Sequence, residues 1–185
     1  LKDRIAIVTG ASKGIGLACA ERFAADGATV IMSDVDDGAG EAAAKTIGAT
    51  YMHCDVSRAS DVNALVEGVV GRFGAVDILM NNAGIGNGGG PFENYERWQR
   101  VLAVNLWGVI NGTHAFAQAM AAQGTPAAII NTGSKQGITC PPGDTAYNVS
   151  KAGVKVLTEG LAHSLRSIDG CKVTAHLLIP GHVWT

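Results

Sequence analysis

Ile5-Ala6-Ile7-Val8-Thr9-Gly10-Ala11-Ser12-Lys13-Gly14-Ile15-Gly16 is the stretch whose reading decides the fold. An apolar run ends in three glycines spaced G-x-x-x-G-x-G, and Leu17, Ala20, Phe23 and Ala24 then recur at helical spacing as far as Asp26. This reads as a strand, a glycine turn and a helix. Glycines at the exit of a strand permit a tight turn and a close backbone approach to an anionic group, which the free N–H groups and the positive end of the following helix then stabilise. No Gly-Lys-Ser/Thr follows, so the turn is not a Walker loop. A purely structural turn is the alternative for this segment, in a chain with 25 glycines among 185 residues, about double the ~7% usual share.

The same alternation continues outward. Strands are expected at 29–33, 50–53, 76–80, 127–131 and 172–179, and helices at 40–47, 60–73, 98–121 and 146–167. Gly27, Gly48 and Gly74 stand where helices end in glycine. The stretch 84–91, with five glycines, is an irregular loop inside the alternation, not a domain boundary. Strand and helix in turn predict an α/β fold: one doubly wound, Rossmann-like domain over 1–185, its parallel sheet covered by helices on both faces.

Composition narrows the function classes. Apolar residues make up 47% of the chain, enough for a substantial core, and 14 basic against 16 acidic residues give a net charge of -2. No electrostatic reason exists to expect nucleic acid or an anionic membrane as partner. Cys19, Cys54, Cys140 and Cys171 are far apart, with no C-x-x-C and no histidine at zinc spacing, so neither metal nor disulfide framework is expected and a reducing, cytoplasmic setting fits. No 18-residue apolar stretch and no signal-peptide layout is present, and the chain begins without Met.

Polar residues recur where strands end. Asp34 follows Gly16 by 18 positions, close to the ~20 expected of an acid that binds the adenosine ribose. A solvated turn aspartate is its alternative, with Asp36 and Asp37 beside it. Asp55 closes the third strand and Asn81-Asn82-Ala83-Gly84 the fourth, so these groups converge on the crevice where open α/β sheets bind ligands. Tyr147 and Lys151 lie four apart at the start of a helix and share a face. A nearby ammonium lowers the pKa of a phenol, and the pair makes an acid/base group.

With these residues in hand, the chain resembles the short-chain dehydrogenase/reductase family. The matching segments are Thr9 to Gly16, Asp34, Asp55-Val56, Asn81-Asn82-Ala83-Gly84, Asn105, Ser134, Tyr147-Asn148-Val149-Ser150-Lys151 and Pro180-Gly181-His182-Val183-Trp184-Thr185, in family order along the whole chain. The resemblance implies a catalytic set of Asn105, Ser134, Tyr147 and Lys151. In it Tyr147 moves the proton, Ser134 holds the substrate oxygen, Lys151 binds the nicotinamide ribose and lowers the Tyr147 pKa, and Asn105 anchors a relay water. It further implies dinucleotide contacts from Gly10, Ser12, Lys13, Gly14, Ile15 and Gly16, from Asp34, Val35, Asp55 and Val56, and from Asn82, Ala83 and Gly84. Tyr147 and Lys151 join them, and Pro180, Gly181, Val183 and Thr185 flank the nicotinamide. No metal is implied.

The expected activity is hydride transfer between NAD(H) and a secondary alcohol or ketone. Asp34 argues for NAD over NADP by repelling a 2′-phosphate, while Lys13 argues the other way. Ile138 and Cys140 hint at an apolar substrate. The helices at 98–121 and 146–167, with Val109, Ala115, Ala119, Val154, Leu157 and Leu161, suggest a homodimer or homotetramer, as family members form. The rival readings are a non-catalytic dinucleotide-binding module and a family member turned to epimerase or dehydratase chemistry. Ser134 has a turn serine as its alternative, and Asn105, set in an apolar helix, a buried structural amide. Gly133 to Gly137 is not a G-x-S-x-G elbow, so a serine hydrolase is not expected. The five histidines read as packed or solvated rings. Because the chain stops where family members continue into a substrate-covering loop, the sequence is expected to be truncated or incompletely given.

Overall fold

The computed structural model describes residues 1–181. Six strands, β1 (Ile5–Thr9), β2 (Thr29–Asp34), β3 (Thr50–His53), β4 (Ile78–Asn81), β5 (Ala127–Thr132) and β6 (Val173–Leu178), form one sheet in the order β3-β2-β1-β4-β5-β6, and every neighbouring pair is parallel. The helices between them are α1 (Gly14–Ala25), α2 (Asp37–Ile47), α3 (Ala59–Phe73), α4 (Tyr95–Leu102), α5 (Gly108–Ala122), α6 (Gln136–Thr139) and α7 (Thr145–Arg166).

Parallel strands must be covered on both faces, which is why their sequences read as continuous apolar runs. The period of two in β1 sends Ile7 to one face, with Ile31, Leu79 and Ile129, where it meets Val62, Leu65 and Val69 of α3 and Phe116 and Met120 of α5. Val8 goes to the other face, with Val30, Met32 and Met80, against Ala20 of α1 and Ala44 of α2. The sheet is thus doubly wound, as its alternation predicts.

Two departures have local causes. The strand expected at 76–80 begins at Ile78, because the carboxylate of Asp77 is occupied by the Arg4 guanidinium (2.8 Å) and the Ile5 N–H (2.8 Å), tying the entry of β4 to β1. The helix expected at 98–121 runs from Tyr95 to Ala122 but is broken by a π turn at Ala103–Trp107. Asn105 sits in that turn, wholly buried. Beneath the sheet's carboxyl edge, Asn81 donates to Asn131 (2.9 Å) and Asn131 to Thr158 (3.0 Å), a satisfied buried ladder linking β4, β5 and α7.

Candidate active site

The carboxyl ends of β1 to β4 open on a cavity of about 910 Å³. Gly10 turns there with φ 64°, and a Cβ on it would stand 2.6 Å from the Ala83 Cα. The exits of β1 and β4 therefore touch through a glycine. Gly16 lies one layer down, where a Cβ would stand 2.6 Å from the Asn82 amide nitrogen; it packs the loop and is not on the cavity wall. Ser12, Lys13, Gly14 and Ile15 are on the wall. The N-cap of α1, Lys13, makes no side-chain cap bond, whereas Asp36 caps α2 and Asp144 caps α7. Helix α1 thus meets the cavity with its first N–H groups uncapped by any side chain, which suits a pyrophosphate. The glycine cradle and this free helix end fit a nicotinamide dinucleotide.

Asp34 is not a solvated turn residue. One of its oxygens accepts from the Ser12 N–H (3.0 Å), the other from Val35 (2.8 Å) and Asp36 (3.2 Å), so it fastens the glycine loop to the end of β2. The oxygen facing Ser12 keeps acceptor capacity for a ribose hydroxyl at the cavity wall. Val35 is exposed beside it. Asp55 holds Ser57 through its N–H (3.0 Å) and hydroxyl (2.7 Å), and Asn111 holds the Val56 carbonyl (2.9 Å), so both wall residues are fixed by neighbours. Asn82 borders the cavity with Ala83 and Gly84, but its amide is committed within the protein: it donates to the Thr9 (3.0 Å) and Gly10 (3.2 Å) carbonyls and accepts from Thr132 (3.2 Å).

Tyr147 borders both this cavity and an adjoining pocket of about 520 Å³ that Ser134 also lines. Lys151, one turn on, is 3% exposed, donates to the Thr132 carbonyl (2.8 Å) and stands 5.6 Å from the centre of the Tyr147 ring. Burial lowers its pKa to about 8. The expected lowering of the Tyr147 pKa is not found. Burial pushes the phenol above its ordinary value, the Ser134 hydroxyl acts against that rise, and the Asp144 charge adds to it. The ammonium is directed to a backbone carbonyl, so desolvation governs.

Asn105 has its side chain wholly inside the protein. Its oxygen accepts from the Ile85 N–H (2.8 Å), and its nitrogen donates to the Ile85 carbonyl (2.8 Å) and the Ser150 hydroxyl (3.2 Å). Both amide hydrogens are used within the protein, as in the buried structural alternative for this side chain, while its oxygen accepts a single bond. Ser150, missed in the sequence, also donates to the Tyr147 carbonyl (2.7 Å).

The two residues that hint at an apolar substrate do not line the pocket. Ile138 and Cys140 are exposed and lie off the pocket wall, since α6 and the left-handed Cys140 (φ 46°) carry that segment outward. The wall is formed by Asn87, Lys135, Gln136, Thr139 and Asp144, with Pro141 as the member of the proline pair that lines it. Pro180 reaches both cavities and Gly181 the smaller one, while Val183 and Thr185 lie outside the described residues. Asp144, the N-cap of α7, was legible as an acid just before a helix but was not singled out. Among the described residues no cluster of His, Cys, Asp and Glu could hold a metal, and no helix is long and apolar enough to cross a membrane.

The model of the short chain dehydrogenase family matches residues 4–185. The chain belongs to that family. Among curated relatives, short-chain dehydrogenase reductase ATA1 of Arabidopsis thaliana is 36% identical over 169 residues, covering 90% of this chain and 62% of the relative. The NADP-dependent (R)-specific alcohol dehydrogenase of Lentilactobacillus kefiri is 36% identical over 192 residues, 100% of this chain and 75% of its own length. A crystal structure of a short chain dehydrogenase/reductase from Burkholderia phymatum in complex with NAD superposes with a TM-score of 0.93 at 39% identity, covering 98% of this chain and 66% of that one. The chain therefore spans roughly 62% to 75% of the length of these relatives, in an oxidoreductase family that includes a protein solved in complex with NAD and an NADP-dependent one.

Proposed function

We propose that this short chain dehydrogenase interconverts a secondary alcohol and a ketone, with Tyr147 as the general acid/base. The observation that carries the reading is the place of Tyr147, on the wall shared by the dinucleotide cavity and the adjoining pocket. A bound nicotinamide supplies the hydride donor or acceptor. Ser134 orients the substrate oxygen toward the phenol. Tyr147 gives its proton to that oxygen in reduction and takes it back in oxidation. Lys151, held against Thr132, offers its ammonium to the ribose side of the same wall. The test is a screen at 340 nm of 2-butanol, 1-phenylethanol, acetophenone and related alcohols and ketones with NAD(H) and NADP(H). A chain that binds dinucleotide but turns over none of them is a binding module instead.

The cofactor proposed is NAD. Each unit of charge on a 2′-phosphate ~4 Å from Asp34 meets a repulsion on the order of 4 kcal/mol, of which screening leaves a fraction, and 1.4 kcal/mol is about tenfold. Asp34→Asn keeps acceptor oxygen for Ser12 while removing the charge. It is expected to shift the NAD-to-NADP ratio of kcat/KM toward NADP by about tenfold. A wild-type preference for NADP assigns the choice to Lys13.

Association into a homodimer or homotetramer is proposed on altered grounds. Val109 and Val154 are buried in their own chain, but Trp107 at the end of the π turn and Val149 and Val156 of α7 leave apolar surface. Light scattering at micromolar concentration is expected to give a dimer or larger, and a monomer overturns this. The four free thiols support a cytoplasmic setting.

A further inference from the structure

The glycine-rich segment 84–91, one wall of the reaction pocket, is tied down at three places. Asn105 holds Ile85 from the π turn, as described. At the far end Glu93 accepts from the Gly90 N–H (3.1 Å), and the Trp98 indole donates to the Gly90 carbonyl (2.9 Å). Between them stands Asp144. One of its oxygens accepts from the Asn87 N–H (2.8 Å), and the other from the Gly88 N–H (3.0 Å) and the Tyr147 N–H (3.2 Å). The Ala146 N–H reaches the Gly89 carbonyl (3.4 Å) beside it.

An N-cap needs an acceptor only for its own helix. Asp144 directs two of its three bonds to a loop more than fifty residues away in sequence. Within that loop Asn87 is left-handed, with φ 65°, at the residue whose N–H Asp144 holds. A Cβ on Gly88 would stand 3.1 Å from Val101 and 3.2 Å from the Asp144 carboxylate, so the strand of loop lies flat on the start of α7. Asn87, Asp144, Ser134 and Tyr147 border the same pocket. Of the three ties, Asp144 alone comes from the helix that carries Tyr147 and Lys151.

We infer that Asp144 is a positioning residue that locks the 86–90 wall of the substrate pocket to the first turn of α7, so that a bound carbonyl is held at a constant distance from Tyr147. The inference rests on the hydride-transfer reading for its catalytic consequence and on geometry for the lock itself. Asp144 itself is not on the wall of the dinucleotide cavity, and its carboxylate bonds to neither the glycine loop nor Asp34.

Asp144→Ser separates the two roles, because a serine caps a helix as well as aspartate but cannot span both loop amides. In the full chain, amide hydrogen exchange at Asn87 and Gly88 is expected to quicken at least tenfold, while amides of 150–166 stay at wild-type rates. With the panel alcohol that the wild type turns over fastest, KM is expected to rise at least fivefold with the NAD dissociation constant within twofold. Wild-type exchange at both loop amides overturns the lock, and faster exchange with unchanged kcat/KM overturns its positioning role. If Asp144→Ser does not fold, Asp144→Asn serves: it retains one acceptor oxygen, so Asn87 or Gly88 is expected to quicken, and neither doing so overturns the proposal. A wild type inactive on the whole panel sinks the hydride-transfer reading, while the exchange rates still decide the lock.

Discussion

Tyr147→Phe is expected to lower kcat by at least the ~100-fold typical of general acid–base groups, with NAD binding and the melting temperature unchanged. The phenol is half-buried at the junction of two cavities, and deleting its oxygen orphans no backbone group; the Tyr147 N–H and carbonyl keep Asp144 and Ser150. Burial holds the phenol protonated at neutral pH. Ketone reduction, which needs a proton donor, is therefore expected to be flat from pH 6 to 8, while alcohol oxidation, which needs the phenolate, climbs over the same range. Steady-state rates in both directions check this, and a mutant of near-normal activity removes Tyr147 from the mechanism.

Lys151→Met is expected to remove activity and yet raise stability. The wild-type ammonium titrates at about 8 in the folded chain against 10.5 when exposed. Below pH 8 both states are charged and the folded chain carries the whole desolvation cost, on the order of 3 kcal/mol at about 1.4 per pH unit. Between pH 8 and 10.5 the folded chain has released a proton that the unfolded chain still binds, so the cost is relieved as pH rises. Methionine removes it at every pH and leaves the Thr132 carbonyl without its donor, which offsets about 1 kcal/mol. The net gain near pH 7 is about 2 kcal/mol, or a few degrees in Tm. Calorimetry is expected to show the gap between mutant and wild type closing from pH 8 to 10.5. A destabilised mutant shows that the Lys151 bond outweighs its burial cost.

The stability that Lys151 gives up and the phenol that stays protonated were not legible in the residues. Spacing places Tyr147 and Lys151 on one helical face, which holds, but the direction of a pKa shift depends on what the fold packs around each group. The strands were legible because both faces of a parallel sheet are apolar, so Ile7 and Val8, or Ile31 and Met32, advertise burial without naming a partner. The glycine loop was legible because only glycine tolerates the approach of Gly10 to Ala83. Asn105 drew notice as an amide in an apolar helix, but its partner, Ile85, lies 20 residues away across a loop. Asp34 was read for its ligand and not for Ser12, since a strand end and a glycine turn reveal their mutual contact only once β1 and β2 pair.

The π turn at Ala103–Trp107 amounts to one residue more than a regular helix would hold. Chain length at this point thereby becomes a determinant of the active site. Deleting one residue there would let α4 and α5 fuse into an uninterrupted rod, a change that local helix energetics favour. The wide turn absorbs the ~100° that its extra residue would otherwise add, so Val101 on one side and Phe116 and Met120 on the other keep their buried faces. What the deletion would take away is the local displacement of the backbone that brings Asn105 to Ile85. Gaps within residues 100–110 are therefore far more harmful than substitutions on the exposed side of α4. Any chain meant to keep this pocket must preserve the count of residues between Val101 and Val109, as well as their kind.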